Sequence, residues 1–474
     1  MTIHRRSAQG NPSAKPSKPN RRSIKNPKSG RWVWFWVGMS GIAMVSATAG
    51  ALLAVSLTSK PLMQANLSAD EAAVFDSDRI SGGGLRFSEL TRPVNILVMG
   101  MSVLPPDVQN APEETKNLGY LPQVNSFDGL ADVMLLIRFD PEKKKLVMLS
   151  IPRDTRVEIE GQGMKKINST NLQGGPALTA KTVSNLLEGV GIDRYMRINV
   201  LGVAKLIDAL GGVTVYVPRD MKYQDDSQHL YINLKKGKQH LNGEQALQLL
   251  RFRHDENGDI GRIQRQQMVI RALIDQSLNP TTLAQLPKVL NVVKEHIDTN
   301  LTVEELLALV GFGARTNRSN MQMLMLPGRF SEKSEYEASY WIPYKRRIHA
   351  MMAQHFDLET ETDSLSQLVD PASLRVAIQD NTGSEETNLR PLVRSLIKAG
   401  YRNVYIAKSS GVPLDVTHIV AQQGDGNSAD LIRNSLGFGE VRVESTGNLG
   451  SDISIQVGKD WLEQRGLFEE TTQP

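Results

Sequence analysis

The apolar positions of this chain fall into two regimes. From Trp32 to Leu57 the run WVWFWVGMSGIAMVSATAGALLAVSL carries no charge, and as a helix it would reach roughly 39 Å, enough to cross a ~30 Å hydrocarbon core with some tilt. Beyond residue 90 the runs shorten to strand length. PVNILVMG (93–100), DVMLLIRF (132–139) and KLVMLSI (145–151) are three such runs, and the charged turn DPEKKK between the last two predicts a hairpin. Helical spacing then alternates with strand-like runs. A helix over Pro176–Leu187 opens on Gly-Gly-Pro, YMRINV reads as a strand, VAKLIDAL is a helix stopped by Gly211-Gly212, and VTVYV is again a strand. Helices are predicted at about 243–250, 262–278, 281–297 and 302–314, a strand at 320–326, and a helix near 341–355.

The stretch DLETETDSLSQLVDP (357–371) is acidic and polar and reads as a linker. After it LRVAIQD, a helix over about 386–399, NVYIA, a strand near 417–421, a helix over about 427–436, VRVES and DISIQV form a second unit spanning 372–460. Mixed order of this kind predicts an α/β (α+β) fold, with a mixed central sheet flanked by helices over 91–356 and a small C-terminal α/β domain. Residues 58–90, with Gly82-Gly83-Gly84, read as a stalk. The polar, Pro-rich loop 101–127 is long for a structureless connection and is expected to be a lid or flap.

Composition changes the picture at the N-terminus. The first 31 residues carry nine Lys/Arg and no Asp or Glu, a disordered basic tail by composition. Three of the five tryptophans, Trp32, Trp34 and Trp36, stand at the basic end of the apolar run, where an interfacial aromatic belt belongs. The positive-inside rule then predicts a cytoplasmic tail (1–31), a single transmembrane helix (32–57) and an extracytoplasmic remainder in the cell membrane. A cleaved signal peptide is the competing reading, since Ala47-Thr48-Ala49 resembles a cleavage site, but the apolar run exceeds the usual length of such a segment.

The 55 basic and 51 acidic residues give +4, yet without the nine tail cations the rest is 46 against 51, or −5. A whole-domain footprint for nucleic acid is therefore missing. There is no cysteine, which excludes disulfides, thiolate metal sites and thiol nucleophiles.

Against that mildly acidic background RFRHDENGDIGRIQRQQ (251–267) concentrates positive charge. Arg251 and Arg253 leave one face of an extended segment. Asp259 stands where a helix N-cap belongs, and Arg262 and Gln266, four apart, share one side of the helix that follows. Val269, Ile270 and Leu273 continue that side, so a surface cationic at its start turns apolar within two turns, as would suit a lipid with a phosphate head. The plainer alternative is a capped, solvated helix start whose apolar residues are core. A second cluster, SIPRDTRVEIEGQGMKKIN (150–168), places Arg153 and Asp154 at the end of a strand, where ligand groups gather or a simple turn with an ion pair forms. His254 is a tempting base, but beside arginines its protonated form is disfavoured, and an ordinary exposed histidine is the plainer reading.

SIPRDTRV, Lys166-Ile167-Asn168, Gly174-Gly175, IDALGGVTVYVP, LNGEQAL and RFR…GDIGRIQRQ occur in the order and spacing of the LytR-CpsA-Psr family, which residues 93–278 resemble. Residues 373–458 look like the small domain often appended to that family. The resemblance implies a membrane-anchored phosphotransferase with a lipid-binding tunnel between sheet and helices. Such an enzyme moves a glycopolymer from a polyprenyl-pyrophosphate carrier onto peptidoglycan, with Mg²⁺ as cofactor. It makes Arg153, Arg251, Arg253, Arg262 and Gln266 pyrophosphate and head-group contacts, Arg153 and Arg262 also catalytic, Asp132 the metal ligand, and Asp154 or Asp259 the proton acceptor.

Two positions depart from the family pattern. Leu130, in GLADV, replaces the usual Arg, and Ser102, in MGMSV, replaces the usual Asp, for which Asp107 or Asp128 could substitute. A binding or scaffolding protein without turnover, and a pyrophosphate hydrolase, are the rival readings.

Overall fold

Successive side chains of a strand point to opposite faces, so the near-continuous apolar runs place apolar groups on both faces of one sheet, and both faces are covered. The computed structural model of the chain describes residues 62, 66–76, 78–82, 88–101, 127, 129–226, 230–252, 258–277, 285–317, 320–358, 370–384, 387–422, 424–448 and 450–470. The basic tail, the Trp32–Leu57 run, nearly all of the 101–127 loop and most of the 357–371 linker lie outside them. Among the described residues no helix is long and apolar enough to cross a membrane.

Numbering only the strands of the two main sheets, the first comprises β1 (Val94–Met101), β2 (Ala131–Asp140), β3 (Lys145–Ile151), β4 (Arg194–Ile198), β5 (Ile297–Thr299) and β6 (Met321–Met325). Their order is β5-β4-β1-β2-β3-β6. The β2–β3 hairpin is antiparallel, β4 lies parallel to β1 and β6 parallel to β3, so the sheet is mixed as expected.

On one face Leu97, Met99, Leu136 and Leu149 pack against α1 (Thr170–Leu186) and, near the C-terminus of this unit, a helix over Lys345–Phe356. On the other face Ile96, Leu146 and Met148 meet Ala308, Leu309 and Phe312 of the helix Val303–Arg315. Helix α2 (Val200–Ala209) ends where expected, because Gly211 and Gly212 both take positive φ. α1 is broken at Gly174-Gly175, with φ +60° at Gly175, so its regular part begins at Pro176.

The expected strand Val213–Val217 pairs with Gly237–Leu241, and between them Met221–Asp225 and Leu230–Leu234 form a hairpin that the pattern did not announce; both pairs pack with α3 (Gly243–Arg251) and α4 (Gly258–Ser277) in a separate cluster. The expected stalk is different in the structure. Phe75 and Ile80 are 5% and 0% exposed, and Leu62 pairs its N–H with Leu301 O at 3.0 Å. Apolar residues spaced along an otherwise polar segment fold it onto the domain.

One ion pair ties the β5 edge inward. Arg197 and Asp298 face each other across β4 and β5, 2.6 Å apart and almost wholly buried. Arg197 Nη1 also donates to Phe127 O (3.2 Å) and Asn171 Oδ1 (3.4 Å), while Asn171 Nδ2 donates to Phe127 O (2.7 Å) and Gly129 O (2.9 Å). The pair therefore also anchors the backbone that feeds β2.

The C-terminal sheet contains β7 (Arg375–Asp380), β8 (Asn403–Ala407), β9 (His418–Ala421), β10 (Glu440–Val443) and β11 (Ile453–Val457), in the order β8-β7-β11-β9-β10. Its core includes Trp461 from a terminal helix, Asp460–Glu470, which the pattern also did not announce. A parallel bridge joins Met323 to Glu444, with Ser445 N–H donating to Met323 O at 3.1 Å. The edge strand of the first sheet is thus met by the segment that leaves the edge strand of the second.

His355 lies at the same junction, with Nε2 3.1 Å from Gly424 O and Nδ1 2.9 Å from the Gln322 amide. Burial, opposed in part by the Gly424 hydrogen bond, pushes its pKa down to about 4.

Two outcomes are expected. Asp298→Ala strands a buried guanidinium and should lower unfolding free energy by about 3–5 kcal/mol in denaturant titrations. For His355, the folded pKa lies below the unfolded one. The stability it confers is complete above pH 6.5 and is lost as pH falls from 6.5 towards 4, about 3 kcal/mol over that window. Between pH 7 and 5, before most carboxylates titrate, His355→Gln should flatten the measured slope of stability against pH.

Candidate functional site

Strand β3 ends at Ile151, and the chain turns at once. Thr155 donates to Pro152 O through N (3.0 Å) and Oγ1 (2.6 Å), which puts Arg153 and Asp154 at the corners of a tight turn. The turn is held from both sides: Trp341 N–H donates to Asp154 O (2.9 Å), Asn168 N–H to Arg153 O (3.2 Å) and Ile167 N–H to Thr155 O (2.9 Å). This docking explains why a Lys-Ile-Asn triplet follows the Pro-Arg-Asp-Thr stretch at a distance. Its backbone supports the turn, and its lysine reaches the aspartate.

The side chains of the turn form one charge network. Arg153 Nη1 donates to Asp132 Oδ1 at 3.1 Å, and Arg153 Nε to Asp154 Oδ2 at 3.3 Å. Lys166 Nζ stands 2.7 Å from the other Asp154 oxygen. Asp132, Arg153 and Asp154 keep only 22%, 23% and 15% of their side-chain surface exposed, so these pairs act in a lower dielectric than surface ones. Asp132 is held through one oxygen only among the described residues, whereas both oxygens of Asp154 already face cations.

Helix α4 adds groups from the arginine-rich stretch 251–267. Arg262 and Gln266, one turn apart, line the same cavity as Asp132, Arg153 and Asp154. Arg262 is buried, at 7% exposure. Among the described residues the cations Arg153 and Arg262 thus line one cavity with the carboxylates Asp132 and Asp154, with Lys166 held against Asp154; guanidiniums are donors suited to oxyanions.

The other expected site residues are placed differently. Arg251 is the last residue of α3 and does not line this cavity. Arg253 and His254 lie outside the described residues, as do Ser102, Asp107 and Asp128. Asp259 belongs to the first turn of α4, and its side chain lies outside the described set.

The apolar side expected to form a lipid groove below Arg262 is packed core. Val269, 2% exposed, and Leu273 pack in the hairpin cluster, and Ile270 packs under the main sheet. The cavity itself is about 20 Å³, room for a single water rather than for a prenyl chain. Its floor is nonetheless apolar, with Met134, Ile151, Ile263, Phe330 and Trp341 among the lining residues.

Sequence reasoning missed an aromatic wall beside the turn. The Arg156 guanidinium lies 4.6 Å from the centre of the Tyr336 ring, Lys166 Nζ lies 5.6 Å from that of Tyr340, and the two tyrosines meet edge to face at 5.3 Å. The signal available was the local density of Tyr and Trp in SEYEASYW (334–341). Nothing local connects it to residue 156.

A model of the LytR-CpsA-Psr family matches residues 59–357, and one described as LytR cell envelope-related transcriptional attenuator matches residues 373–461. The chain is 33% identical over 246 residues to the polyisoprenyl-teichoic acid–peptidoglycan teichoic acid transferase TagV of Bacillus subtilis (strain 168), which is 50% of this chain and 62% of that one. It is 38% identical over 172 residues to the regulatory protein MsrR of Staphylococcus aureus (strain COL), 36% of this chain and 51% of that one. The chain therefore spans about half to three-fifths of the length of these relatives. A crystal structure of B. subtilis TagV aligns with a TM-score of 0.46 at 29% identity, over 57% of this chain and 99% of that one.

Proposed function

The chain belongs to the LytR-CpsA-Psr family, and on that premise we propose that it is a phosphotransferase. In this reading it moves a glycopolymer from a polyprenyl-pyrophosphate carrier onto peptidoglycan. The observation that carries the reading is the convergence of Arg153, Arg262 and Gln266, from segments a hundred residues apart, on one cavity with Asp132 and Asp154. The activity printed for the B. subtilis relative, a teichoic acid transferase acting between polyisoprenyl-linked polymer and peptidoglycan, supports it.

The chemistry asks for these residue types. A pyrophosphate diester carries two negative charges while an acceptor hydroxyl attacks the phosphorus that bears the sugar. The new O–P bond forms, the bridging P–O bond breaks, prenyl monophosphate departs, and the hydroxyl proton passes to a base. Guanidiniums held in advance by carboxylates stabilise the charge growing on the departing phosphate without reorganising. Arg153 and Arg262 take that role, with Gln266 hydrogen-bonding a phosphate oxygen and Arg251 and Arg253 supplying outer contacts. Asp154, engaged by Arg153 and Lys166, positions cations, which leaves Asp259 the stronger candidate for proton acceptance.

Mg²⁺ fits the donor set as a partner of Asp132, because this ion is commonly held by one or two carboxylates together with substrate phosphates and water. When bound it would add charge stabilisation at the phosphates. The prenyl chain enters by parting the apolar side chains on the cavity floor. Membrane anchoring through Trp32–Leu57, with the catalytic part outside the cell, would bring the cavity to where lipid-linked polymer and peptidoglycan meet.

Leu130, in place of a cationic side chain beside the site, favours a second reading, a polyisoprenoid-phosphate binding protein with weak turnover. The test is direct. Full-length protein in detergent, given a polyprenyl-pyrophosphate-linked sugar, acceptor glycan and Mg²⁺, should join sugar phosphate to the acceptor. Arg153→Ala and Arg262→Ala should each slow this by at least about tenfold, or about 1.4 kcal/mol of barrier. Lipid held without turnover would establish the binding protein instead, and free sugar phosphate a hydrolase.

A further inference from the structure

Two like charges stand directly opposite each other beside the Arg153–Asp154 turn. The strands Arg156–Ile159 and Gly163–Lys166 form an antiparallel hairpin whose register pairs Arg156 with Lys166. Opposed like charges destabilise a strand pair, so this register is unfavourable unless other groups hold the two cations. Arg156 is held by tyrosines: its guanidinium lies 4.6 Å from the centre of the Tyr336 ring and 5.9 Å from that of Tyr340. Lys166 is held differently. Its Nζ stands 2.7 Å from Asp154 Oδ1 and 5.6 Å from the Tyr340 ring centre, between a carboxylate and an aromatic ring.

The loop that supplies the tyrosines is closed on itself. Ser331 N–H donates to Tyr340 O (2.8 Å), and Tyr340 N–H donates to Ser331 Oγ (2.9 Å). Arg329 grips Glu335 through both terminal nitrogens, at 2.8 and 2.5 Å. Trp341, next in the chain, donates its N–H to Asp154 O. Loop 331–340 is therefore tied to the turn through backbone while its rings bear on Arg156 and Lys166.

The consequence appears at Asp154. One of its oxygens is engaged by Lys166, and the other accepts from Arg153 Nε at 3.3 Å. An aspartate with both oxygens available beside a guanidinium favours the bidentate pair of two parallel N–H···O bonds. Here Lys166 occupies the oxygen that such a pair needs. Lys166 does not line the catalytic cavity, whereas Asp154, Arg153 and Asp132 do. The lysine thus reaches the cavity only at the end of a row of alternating charge, Lys166, Asp154, Arg153 and Asp132.

We infer that Lys166 is a positioning residue for Arg153. By occupying one oxygen of Asp154 it keeps that carboxylate from closing on the guanidinium with both, and so keeps Arg153 donors directed at an anionic phosphate in the cavity. The phosphate rests on the transferase reading; the occupied carboxylate oxygen does not. Without the lysine, Asp154 turns onto Arg153 and takes up N–H groups that a diphosphate requires. Arg156 contributes by repulsion, because a guanidinium fixed on the tyrosines across the hairpin makes Asp154 the favourable place for the Lys166 ammonium.

The test measures binding of farnesyl pyrophosphate, with Mg²⁺, to full-length protein in detergent, together with crystal structures of two variants. Lys166→Met should weaken binding by about tenfold, Arg153→Ala by a similar factor, and Lys166→Arg should stay within about twofold of the parent. In the Arg153→Ala background Lys166→Met should add nothing, because the lysine acts through that arginine. Tyr340→Phe, which keeps the ring, should match the parent, and Tyr340→Leu should fall between the parent and Lys166→Met. If Lys166→Met does not fold, Tyr340→Leu in the two backgrounds makes the same comparison. The crystal structures should show both Asp154 oxygens on Arg153 in Lys166→Met and one in Lys166→Arg.

A full further loss from Lys166→Met in the Arg153→Ala background would overturn the inference, since the lysine would then touch the ligand itself or merely support the fold. Parent-like binding by Lys166→Met would overturn it as well. If the parent protein binds no farnesyl pyrophosphate, the transferase reading fails and the crystal structures decide alone. A bidentate Asp154 confined to Lys166→Met sustains the positioning role, and the same Asp154 geometry in both variants removes it.

Discussion

A guanidinium withdrawn from water needs a carboxylate beside it, and this protein fixes its part-buried arginines in that way. Asp132 and Asp154 grip Arg153, Asp298 pairs with Arg197 across adjacent strands, and Glu444 pairs with Arg271. Each acid lies on an element other than that of at least one cation it serves, or on the adjoining turn. The cationic sites therefore exist only when the fold is complete. Fixing the donors in this way also withdraws them from water, which makes each remaining N–H worth more to a phosphate oxygen than it would be on a flexible surface.

Helix α4 carries much of the resulting organisation. It touches three apolar clusters, through Ile263 beside the Arg153–Asp154 turn, Val269 and Ala272 against the strands at 213–241, and Ile270 and Ile274 beneath the main sheet. Packing on so many sides leaves the helix little freedom to roll. Its polar positions are consequently committed to two separate hollows, one holding Arg262 and Gln266 and the other Gln264 and Arg271. The meeting of Met323 with Glu444 and Ser445 holds the second domain against this arrangement. The second hollow is thus framed by backbone as well as by side chains.

Much of this was legible in the chain. Strand-length apolar runs, the Gly-Gly-Pro helix start, the Gly211-Gly212 stop and the two-domain alternation of helix and strand are local signals, and the observed elements follow them to within a few residues. Arg153, Asp132, Arg262 and Gln266 could be singled out because motif order and four-residue helical spacing survive in one dimension. The same reasoning failed where the answer depended on neighbours distant in sequence. Val269 and Leu273 present an apolar stripe whether they line a groove or fill a core, and only the hairpins at 213–241 decide for core. The glycine-rich segment before residue 90 reads as a tether until Phe75 and Ile80 find the surface that buries them.

By itself, then, the sequence determined the elements, the mildly acidic balance of the larger part and the candidate site residues Arg153, Asp132, Arg262 and Gln266. These depend on backbone propensity, periodicity and side-chain chemistry, all of which act over a few residues. Only the tertiary structure decided that Lys166 reaches Asp154, that Tyr336 lies under Arg156, and that Arg271 of the first domain meets Glu444 of the second. Such meetings depend on sheet order and helix rotation, and these are set by burying apolar surface across the whole fold rather than by any segment alone.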